Sequence, residues 1–280
     1  MPELPEVETI ARTLTPLIRD RLVVGARVFL PRSVEAQSLP LSQLAGRRVT
    51  HAGRRGKLAL LHLAPQIGGP QEAAFLAVHL KMTGRLFVYG PETQPNPHTR
   101  VVLDLLSAAG PEQLFFDDAR TFGYMRLVSP ATLGQWPFWA SLGPEPLECP
   151  VSALAERLRA RRGAVKAVLL DQKVVAGIGN IYADEALFRA GIDPRRAAHT
   201  LTAASAETLF CKVREVLLES IAQCGSSIRD YRTARGDAGA FQNTFRVYGR
   251  SGQQCLTCGA ALLTAKVAGR TTVCCPRCQR

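Results

Sequence analysis

The sequence predicts an α+β protein of several domains, and three observations support this class. Short β-rich runs, separated by Gly, Pro and Asn, fill residues 1–135. Apolar residues three and four positions apart begin near Val151 and indicate helices over residues 151–245. Five of the eight cysteines lie within residues 255–280, which indicates a small separate element at 246–280.

The chain opens with "MPELPEVETI", which predicts a helix that starts near Pro5. Proline suits the first helical turn, acidic residues suit its positive end, and the apolar spacing from Val7 to Leu14 continues the pattern. Glu6 lies in that first turn, where capping is the ordinary role of a glutamate. The helix does not explain Pro2 and Glu3, because both residues precede it.

Six β-rich runs follow this helix and favour a sandwich or barrel over a parallel sheet with helical crossovers. The runs are "LVVGARVFL", "RRVTHAGRRGKLALLHLA", "AAFLAVHLKMTGRLFVYG", "TRVVLDLL", "EQLFFDDA" and "YMRLVSP". The stretch "GQWPFWASLGPEPLECP" carries four prolines and two glycines and predicts a linker over residues 136–150.

The second half of the chain predicts two amphipathic helices, "VSALAERLRARRGAVKAVLLDQ" and "LTAASAETLFCKVREVLLESIAQ". Between them, "GIGN" ends at Asn180 and opens a further helical run. A glycine-rich turn before a helix presents backbone N–H groups to a phosphate, although an ordinary turn has the same sequence. The polar, basic segment after Gly225 predicts a mobile loop.

The charge balance indicates a polyanionic partner. Lys and Arg total 35 against 23 acidic residues, a formal net charge of +12. No stretch reaches eighteen apolar residues and no export signal opens the chain, so membrane insertion and secretion are not expected. The cytoplasm is therefore the expected location.

The cysteines fall into two groups. We expect Cys149, Cys211 and Cys224 to be small buried hydrophobic residues. The terminal group reads Cys-x-x-Cys, sixteen residues, Cys-x-x-Cys, the spacing of a structural zinc site with four thiolate ligands. The predicted ligands are Cys255, Cys258, Cys275 and Cys278. Each Cys-x-x-Cys pair can form a tight turn, or knuckle, around the ion. Use of Cys274 with Cys278 would leave three intervening residues and spoil the second knuckle, so Cys274 is expected to point away. A β-hairpin between the two knuckles would carry Arg270 near its tip.

Removal of Met1 would give Pro2 a free secondary amine. An α-amino group has a reference pKa near 8 against about 10.4 for lysine, so Pro2 is the readier nucleophile at neutral pH. Attack on a sugar C1′ would give a charged iminium ion and an acidic proton on C2′. Glu3 is the adjacent acid. Lys57 could supply a proton or bind phosphate, but a surface lysine is the simpler interpretation.

Seven motifs together resemble one known family. They are "PELPEVET", "RRGK", "HLKMTG", "DDARTFG", "LGPEPL", "LLDQKVVAGIGNIYADEALFRAGIDP" and the terminal cysteine motif. This set resembles the bacterial formamidopyrimidine-DNA glycosylases, bifunctional repair enzymes for oxidised purines, over the range from Pro2 to Gln279. The sister branch, endonuclease VIII, typically begins P-E-G-P-E, so Leu4 favours the purine branch.

The resemblance implies a fold and a set of roles. The fold is an N-terminal β-sandwich with flanking helices, a helical domain with a helix-two-turn-helix element, and a zinc-bound β-hairpin. The partner is double-stranded DNA with oxidised purines or abasic sites, and a monomer at the bacterial nucleoid is expected. Pro2 would be the Schiff-base nucleophile and Glu3 the general acid. Lys57 would act in β-elimination and Arg270 in δ-elimination.

The resemblance also implies DNA contacts. His98, Arg120 and Arg161 would bind DNA, and Asn180 would bind phosphate together with Lys57 and Arg270. A base must leave the duplex to be excised, and the side chains that match the void-filling wedge are Met82, Arg120 and Phe122. Without the resemblance, Met82 and Phe122 would be interpreted as core residues and Arg120 as a surface charge.

Three positions depart from the family pattern. Ala119 and Thr121 stand where relatives often have proline and arginine. Cys224 stands where relatives often have glycine, just before the loop Ser226–Phe241 that the resemblance links to base choice.

Two alternatives stay open at this point. One is an endonuclease VIII-like enzyme for oxidised pyrimidines. The other is a non-catalytic zinc-ribbon protein that binds DNA or RNA, which the positive charge and the cysteine motif would allow. Pro2 followed by Glu3 argues against a simple binder, because binding alone gives no reason for that pair.

Overall fold

The structure is a computed structural model that describes residues 1–66, 72–228 and 231–280. The described residues form two compact units. The first comprises Met1–Ala140 and Cys224–Gly239, and the second Ser141–Gln223 and Ala240–Arg280. No helix within these ranges is both long and apolar enough to cross a membrane. The four-part division expected from the sequence stays a prediction.

The first helix, α1 (Leu4–Ile18), confirms the prediction from the opening motif. Val7 and Leu14 lie on its fully buried face. The carboxylate of Glu6 accepts a hydrogen bond of 2.9 Å from the backbone N–H of Glu3, which would otherwise have no partner in the helix. Glu6 is therefore a capping residue, as its position in the first turn indicated.

The six β-rich runs form eight strands in two antiparallel sheets. The first sheet has the order β1 (Leu22–Val28), β6 (Thr99–Ser107), β7 (Gly110–Asp118) and β5 (Gly84–Tyr89). The second has the order β2 (Val49–Arg55), β3 (Leu58–Leu63), β4 (Ala74–His79) and β8 (Tyr124–Val128). Two separate four-stranded sheets make a sandwich, so the choice between sandwich and barrel is settled.

One apolar core joins α1 to both sheets. Leu14 of α1, Leu61 and Leu76 of the second sheet, and Leu103 and Phe116 of the first all belong to it and are almost fully buried. Each such side chain stabilises the fold by about 1.5–3 kcal/mol relative to exposure. The sandwich is therefore held by burial between its sheets as well as by strand pairing.

The predicted linker is packed at its start. Trp136 is almost fully buried in a second apolar cluster with Leu60, Ala77 and Val128. Two short helices, α2 (Pro130–Leu133) and α3 (Pro137–Ser141), flank this tryptophan. Composition alone indicated a linker because prolines and glycines break regular structure without excluding an aromatic anchor.

The second unit contains four complete α-helices among its described residues: α4 (Val151–Arg159), α5 (Val165–Leu170), α6 (Asn180–Arg189) and α7 (Ala203–Ala222). It also contains two short 3-10 helices, Ala198–Thr200 and Phe241–Thr244. The prediction of a single helix from Val151 is wrong. The chain breaks at Gly163, where backbone groups bond outside the helix: Val165 N–H donates to the Arg196 carbonyl at 2.7 Å, and Ala198 N–H donates to the Gly163 carbonyl at 2.9 Å.

A hairpin completes the second unit, as expected. Its strands are β9 (Leu263–Val267) and β10 (Arg270–Cys274), which pair antiparallel. The two tip residues, Ala268 and Gly269, have φ of 49° and 71°. Two consecutive positive φ angles fit the turns that match strand twist in tight hairpins.

The prediction that the scattered cysteines are buried is wrong. Cys149 is half-buried, and Cys211 and Cys224 are exposed. Cys211 lies on α7, whereas Cys224 follows the C-cap residue Gln223 of that helix and has φ of 59°. This left-handed conformation favours glycine, which gives a physical reason for the glycine expected at the position.

Cys224→Gly is predicted to raise the free energy of unfolding by about 1 kcal/mol, because it removes the Cβ that disfavours a left-handed backbone. The measurement is urea unfolding followed by circular dichroism. The matched control is Cys211→Gly inside α7, which should lower stability by a few tenths of a kcal/mol because glycine is a poor helix former. Destabilisation by both substitutions would contradict this account of Cys224.

Candidate functional site

Pro2 and Glu3 are both buried at the start of α1, while Met1 is exposed. Glu3 has an extended backbone and is the N-cap residue of the helix. Glu3 N–H belongs to the peptide bond between Pro2, the predicted nucleophile, and Glu3, the predicted acid. Its hydrogen bond to Glu6 fixes this peptide at the start of the helix. The structure therefore places this pair at a defined position rather than on a frayed terminus.

The described part of the segment 224–239 is attached to α1. Ser226 N–H donates to the Glu6 carboxylate at 2.8 Å, and Tyr231 O–H donates to the Glu6 carbonyl at 3.3 Å. Burial, followed by the nearby Glu6 charge, raises the pKa of Tyr231, so the phenol keeps the proton that it donates. Ala234 N–H donates to Thr13 Oγ1 at 3.2 Å. Sequence composition indicated a mobile loop because it does not show these long-range contacts.

Lys57 is only 8% exposed, so the surface interpretation is wrong. It lies in the turn between β2 and β3, directly after Gly56, whose φ is 54°. Arg54 supports this turn, since its guanidinium donates to the Gly56 carbonyl and to Glu8, each at 3.0 Å. Burial alone would raise the pKa of Glu8, but bonds from Arg12 and Arg54 hold it below its usual value.

The three predicted wedge residues lie together on the first unit. Met82 follows β4, and Arg120 and Phe122 follow β7. Arg120 Nη1 is 3.0 Å from Met82 Sδ, and the guanidinium lies 4.9 Å from the Phe122 ring centroid. Met82 is 40% and Phe122 53% exposed, so the interpretation of these two as core residues is wrong.

Asp118 holds the loop that carries Arg120 and Phe122. This buried carboxylate accepts hydrogen bonds from Gly123 N–H at 2.7 Å, from Arg120 N–H at 3.3 Å and from the Thr83 hydroxyl. Gly123 has no space for a side chain, because an added Cβ would lie 2.7 Å from the Phe116 ring. The sequence analysis missed Asp118, although a carboxylate at the end of an apolar strand is a usable signal.

Thr121 occupies a strained position in the same loop. Its φ is 58°, a region that β-branched residues rarely adopt. Its hydroxyl accepts a hydrogen bond of 2.9 Å from Arg32, which ties the loop to the segment after β1. Thr121 thus lacks the positive charge of the arginine expected at this position, and its hydroxyl instead contacts the positive charge of Arg32.

His79 fixes the turn that leads to Met82. Its Nδ1 accepts a hydrogen bond of 3.1 Å from the backbone N–H of Lys81, whose φ is 50°. Burial, and then the charges of Lys81 and Lys57, lower the pKa of His79 to about 3. The imidazole is therefore neutral, and the neutral ring has the free acceptor that the turn requires.

His98 lies exposed beside the loop held by Asp118. Its backbone N–H donates to Asn96 Oδ1 at 2.8 Å, and its carbonyl accepts from Asp118 N–H at 2.9 Å. The backbone of His98, a predicted DNA contact, thus lies next to the loop that carries Arg120 and Phe122.

In the second unit, the predicted glycine-rich turn opens α6. Gln172 shapes this turn, because its side chain accepts from Gly177 N–H and donates to the Ile178 carbonyl, each at 2.9 Å. Asn180, the first helical residue, donates from Nδ2 to the Thr271 carbonyl at 3.1 Å. Asn180 is therefore bonded to the strand that begins with the exposed Arg270.

Arg161 lies exposed just after α4. With Arg157, Ala160 and Val174 it lines a cavity of about 250 Å³. Arg157 donates to the Lys173 and Val174 carbonyls at 3.0 and 3.2 Å, so its guanidinium is fixed against the chain before α6. The two arginines give this small cavity a positive lining.

Two acidic residues of α6 and one lysine of α5 are buried charges that the sequence analysis missed. Lys166 Nζ lies 2.7 Å from the carboxylate of Asp184, and both side chains are almost fully buried. Burial raises the pKa of Asp184 to about 6, because desolvation outweighs the lowering by Lys166. Glu185 accepts the backbone N–H groups of residues 246–248 at 2.9–3.1 Å. Adjacent acids within the apolar run "IYADEALF" were the available signal.

Four cysteines at the base of the hairpin could hold a metal ion. The Sγ atoms of Cys255, Cys258, Cys275 and Cys278 all lie within 4.8 Å of one another. The Cys255–Cys278 and Cys258–Cys275 sulfur distances are 3.9 and 3.4 Å, close to the about 3.8 Å edge of a tetrahedron with Zn–S bonds near 2.3 Å. Cys274 is outside this group, as expected, so the residues fit a four-coordinate ion.

Comparison with known families decides the relationship. The family model "Formamidopyrimidine-DNA glycosylase N-terminal domain" matches residues 1–125, and "Formamidopyrimidine-DNA glycosylase H2TH domain" matches residues 142–232. The chain belongs to the formamidopyrimidine-DNA glycosylase family. Its fold is therefore that of the family: an N-terminal β-sandwich, a helical domain with the helix-two-turn-helix element and a C-terminal cysteine cluster.

Full-length relatives agree with this assignment. Formamidopyrimidine-DNA glycosylases of Nitratidesulfovibrio vulgaris and Desulfitobacterium hafniense are 45% and 44% identical, with all of both chains covered. A Lactococcus lactis FPG mutant in complex with Fapy-dG containing DNA is similar in structure, with a TM-score of 0.88, 33% identity and full coverage of both chains. A structure of MutM with carbocyclic 8-oxo-G containing DNA gives the same values.

The neutral His79 of this family member predicts a pH dependence. Its native pKa of about 3 lies below the unfolded value of 6.5, so the native state binds fewer protons between these values. The contribution of His79 to the free energy of unfolding is therefore complete above pH 6.5. It decreases as the pH falls toward 3, by at most about 1.4 kcal/mol per pH unit.

His79→Asn should flatten this dependence, because asparagine Oδ1 can accept the Lys81 N–H without becoming charged. The measurement is the free energy of unfolding at several pH values from 7 to 4. The same substitution at the exposed His199 is the control, because it measures how a histidine-to-asparagine change alters the free energy of unfolding at an exposed position. A His79→Asn profile parallel to that of the unaltered protein would contradict a neutral, accepting His79.

Proposed function

We propose that this chain is a bifunctional DNA glycosylase and abasic-site lyase that excises oxidised purines from duplex DNA. The observation that carries the proposal is the exposed cluster of Met82, Arg120 and Phe122, in which two apolar side chains flank a guanidinium. Exposed apolar side chains on loops fixed by buried bonds suit insertion into a base stack. Similar structures are complexes with DNA that contains Fapy-dG, an abasic site or carbocyclic 8-oxo-G.

The wedge must compensate for the base that leaves the duplex, which costs a few kcal/mol. Met82 and Phe122 would fill the gap in the stack. Arg120 would donate hydrogen bonds to the cytosine left without its partner. The bonds of Asp118 and His79 support this role, because they hold both loops in place before DNA arrives.

The reaction begins at Pro2 once Met1 has been removed. The proline nitrogen attacks C1′ of the damaged nucleotide, the bond from C1′ to the base breaks, and the base leaves with the bonding electrons and takes up the proton that the Pro2 nitrogen loses. Glu3 protonates the sugar ring oxygen, and the ring opens to an iminium ion between Pro2 and C1′. Burial of the pair beside α1 supports this arrangement, since it fixes the nucleophile and acid next to each other.

Strand cleavage follows from the same iminium ion. Loss of a C2′ proton and of the 3′-phosphate is β-elimination, and the later loss of a C4′ proton and of the 5′-phosphate is δ-elimination. We assign Lys57 to the first elimination and Arg270 to the second. The buried position of Lys57 supports a specific role, and the exposed position of Arg270 beside the hairpin tip allows it to reach a phosphate oxygen.

The remaining contacts would be to the DNA backbone. His98 and Arg161 are exposed, and Asn180 begins α6, where helix N-terminal N–H groups favour phosphate. The net charge of +12 supports a polyanionic partner. Each phosphate contact should add about 0.9 to the slope of log affinity against log salt. As part of the same proposal, the enzyme acts at the bacterial nucleoid.

We assign one structural Zn²⁺ to Cys255, Cys258, Cys275 and Cys278. The sulfur distances support tetrahedral binding, and four protein ligands leave no position for water. When bound, the ion would supply no chemistry to the reaction. Its thiolates would fix the two knuckles and therefore the base of the hairpin that carries Arg270.

Borohydride should trap a covalent adduct between the protein and DNA that contains 8-oxoguanine opposite cytosine, because an iminium ion can be reduced. A variant that retains Met1 should form no adduct, since its Pro2 nitrogen is an amide. The measurements are gel electrophoresis and mass spectrometry of the linked peptide. Attachment to a lysine, or an undiminished adduct when Met1 is retained, would contradict the role of Pro2.

A parallel duplex that carries thymine glycol tests the substrate class. More rapid excision of 8-oxoguanine is expected for a purine enzyme. Preference for thymine glycol would support the endonuclease VIII-like alternative, and binding of both duplexes without excision would support the non-catalytic one.

Zinc removal should weaken DNA binding by at least about tenfold, because loss of the ion releases the hairpin from its folded shape. The measurements are metal content by elemental analysis and binding of an abasic-analogue duplex by fluorescence anisotropy. Cys211→Ala serves as the control, since it removes a thiol outside the cluster. Unchanged affinity after verified metal loss would contradict this role of the hairpin.

A further inference from the structure

Lys166 occupies an unusual position in the second unit. It is fully buried on the short helix α5, and three acceptors lie near its ammonium group: the Asp184 carboxylate at 2.7 Å, Thr272 Oγ1 at 2.7 Å and the Thr271 carbonyl at 3.2 Å. An ammonium group has N–H donors only, so each of these contacts helps to define the position of Nζ.

Two of the three acceptors belong to β10, the strand that begins with Arg270. The Thr272 hydroxyl, which accepts from Lys166, donates to the Arg270 carbonyl at 3.2 Å. Asp184 accepts the N–H of Val273 at 3.2 Å through its second oxygen. The ion pair is therefore bonded to the Thr271 carbonyl, the Thr272 hydroxyl and the Val273 N–H of this strand. The Thr272 hydroxyl in turn links the pair to the Arg270 carbonyl.

The same network includes Asn180. The Thr271 carbonyl accepts from both Lys166 Nζ and Asn180 Nδ2. Asn180 and Asp184 lie one helical turn apart on α6. One buried ion pair thus connects the first residue of α6 with the first residue of β10.

A buried ion pair is a poor source of stability. Desolvation of two charges costs several kcal/mol, and replacement by apolar residues of similar size is often neutral for folding. The pair at Lys166 and Asp184 would therefore add little that apolar side chains could not supply. What apolar side chains cannot supply is a set of directed bonds to one strand.

We propose that Lys166 and Asp184 are positioning residues that hold Asn180 and Arg270 in the arrangement required to bind phosphate and to assist δ-elimination. The inference rests on the proposed function. Neither residue touches the reacting atoms, so their effect is transmitted through the Thr271 carbonyl and the Thr272 hydroxyl.

The test is the double variant Lys166→Met/Asp184→Leu, which replaces the pair with apolar side chains. Zinc content and melting temperature should stay near those of the unaltered protein. The ratio of δ- to β-elimination products on an abasic duplex should fall about tenfold, as expected when a positioned group shifts by a fraction of an ångström. Borohydride trapping at saturating DNA should be retained, because Pro2 belongs to the first unit.

The matched control is Lys212→Met/Glu215→Leu, which removes an exposed ion pair from α7 in the same unit. This control should leave the product ratio unchanged. Arg270→Ala should lower the ratio by itself, and adding it to the Lys166→Met/Asp184→Leu background should cause no further loss, because both changes disable the same group.

Thr272→Val separates positioning from folding. It keeps the ion pair and removes only the hydroxyl that links Lys166 to the Arg270 carbonyl, so a smaller fall in the product ratio is expected. An unchanged ratio in both the double variant and Thr272→Val would overturn the inference. Loss of zinc from the double variant would also contradict it and would mark the pair as a folding element.

Failure of the proposed function is distinguishable from failure of this inference. If the unaltered protein cleaves no abasic duplex, the proposed function fails. Amide hydrogen exchange then decides the positioning role: faster exchange at Val273 in the double variant than in the α7 control supports it, and equal exchange overturns it.

Discussion

Buried carboxylates that accept backbone N–H groups hold three of the segments that carry candidate site residues, namely the start of α1, the loop with Arg120 and Phe122, and β10. Glu6 accepts from Glu3 and Ser226, and Asp118 accepts from Arg120 and Gly123. In the second unit, Glu185 accepts from residues 246–248, and Asp184 accepts from Val273. Each charged bond of this kind contributes about 1.5–3 kcal/mol and leaves fewer buried N–H groups without a partner. Segments that lack the hydrogen bonds of a strand or helix are thereby fixed by side-chain bonds.

Loops need such side-chain bonds because of their position. A wedge or a nucleophile must project beyond the sheets and helices, where the backbone lacks regular hydrogen-bond partners. A carboxylate offers two oxygens, so one side chain can fix two or three peptide groups at once. His79 performs the same task for the turn at Lys81 with a neutral ring nitrogen. The rigidity of these segments is therefore independent of the ligand that they would bind.

Left-handed backbone positions mark the same segments. Lys81, Thr121 and Cys224 all have φ between 50° and 59°, and each lies beside a candidate site residue or at the start of the segment bonded to Glu6. Side chains other than glycine are disfavoured there by roughly 1–2 kcal/mol. The carboxylate and imidazole bonds offset that cost, which is how a threonine at position 121 is accommodated between Arg120 and Phe122.

The sequence by itself determined the strand runs, the first helix, the hairpin with its four cysteines, and the family, because periodicity and motif spacing are local properties. It did not determine that Lys57 is buried, that Met82 and Phe122 are exposed, or that Gly163 divides a helical run. Nor did it indicate the pairing of Lys166 with Asp184, which are eighteen residues apart in "KAVLLDQKVVAGIGNIYAD". Burial and long-range hydrogen bonds arise only when distant segments pack, and the same lysine is stable at a surface or in a core according to the acceptors that the tertiary structure brings to it.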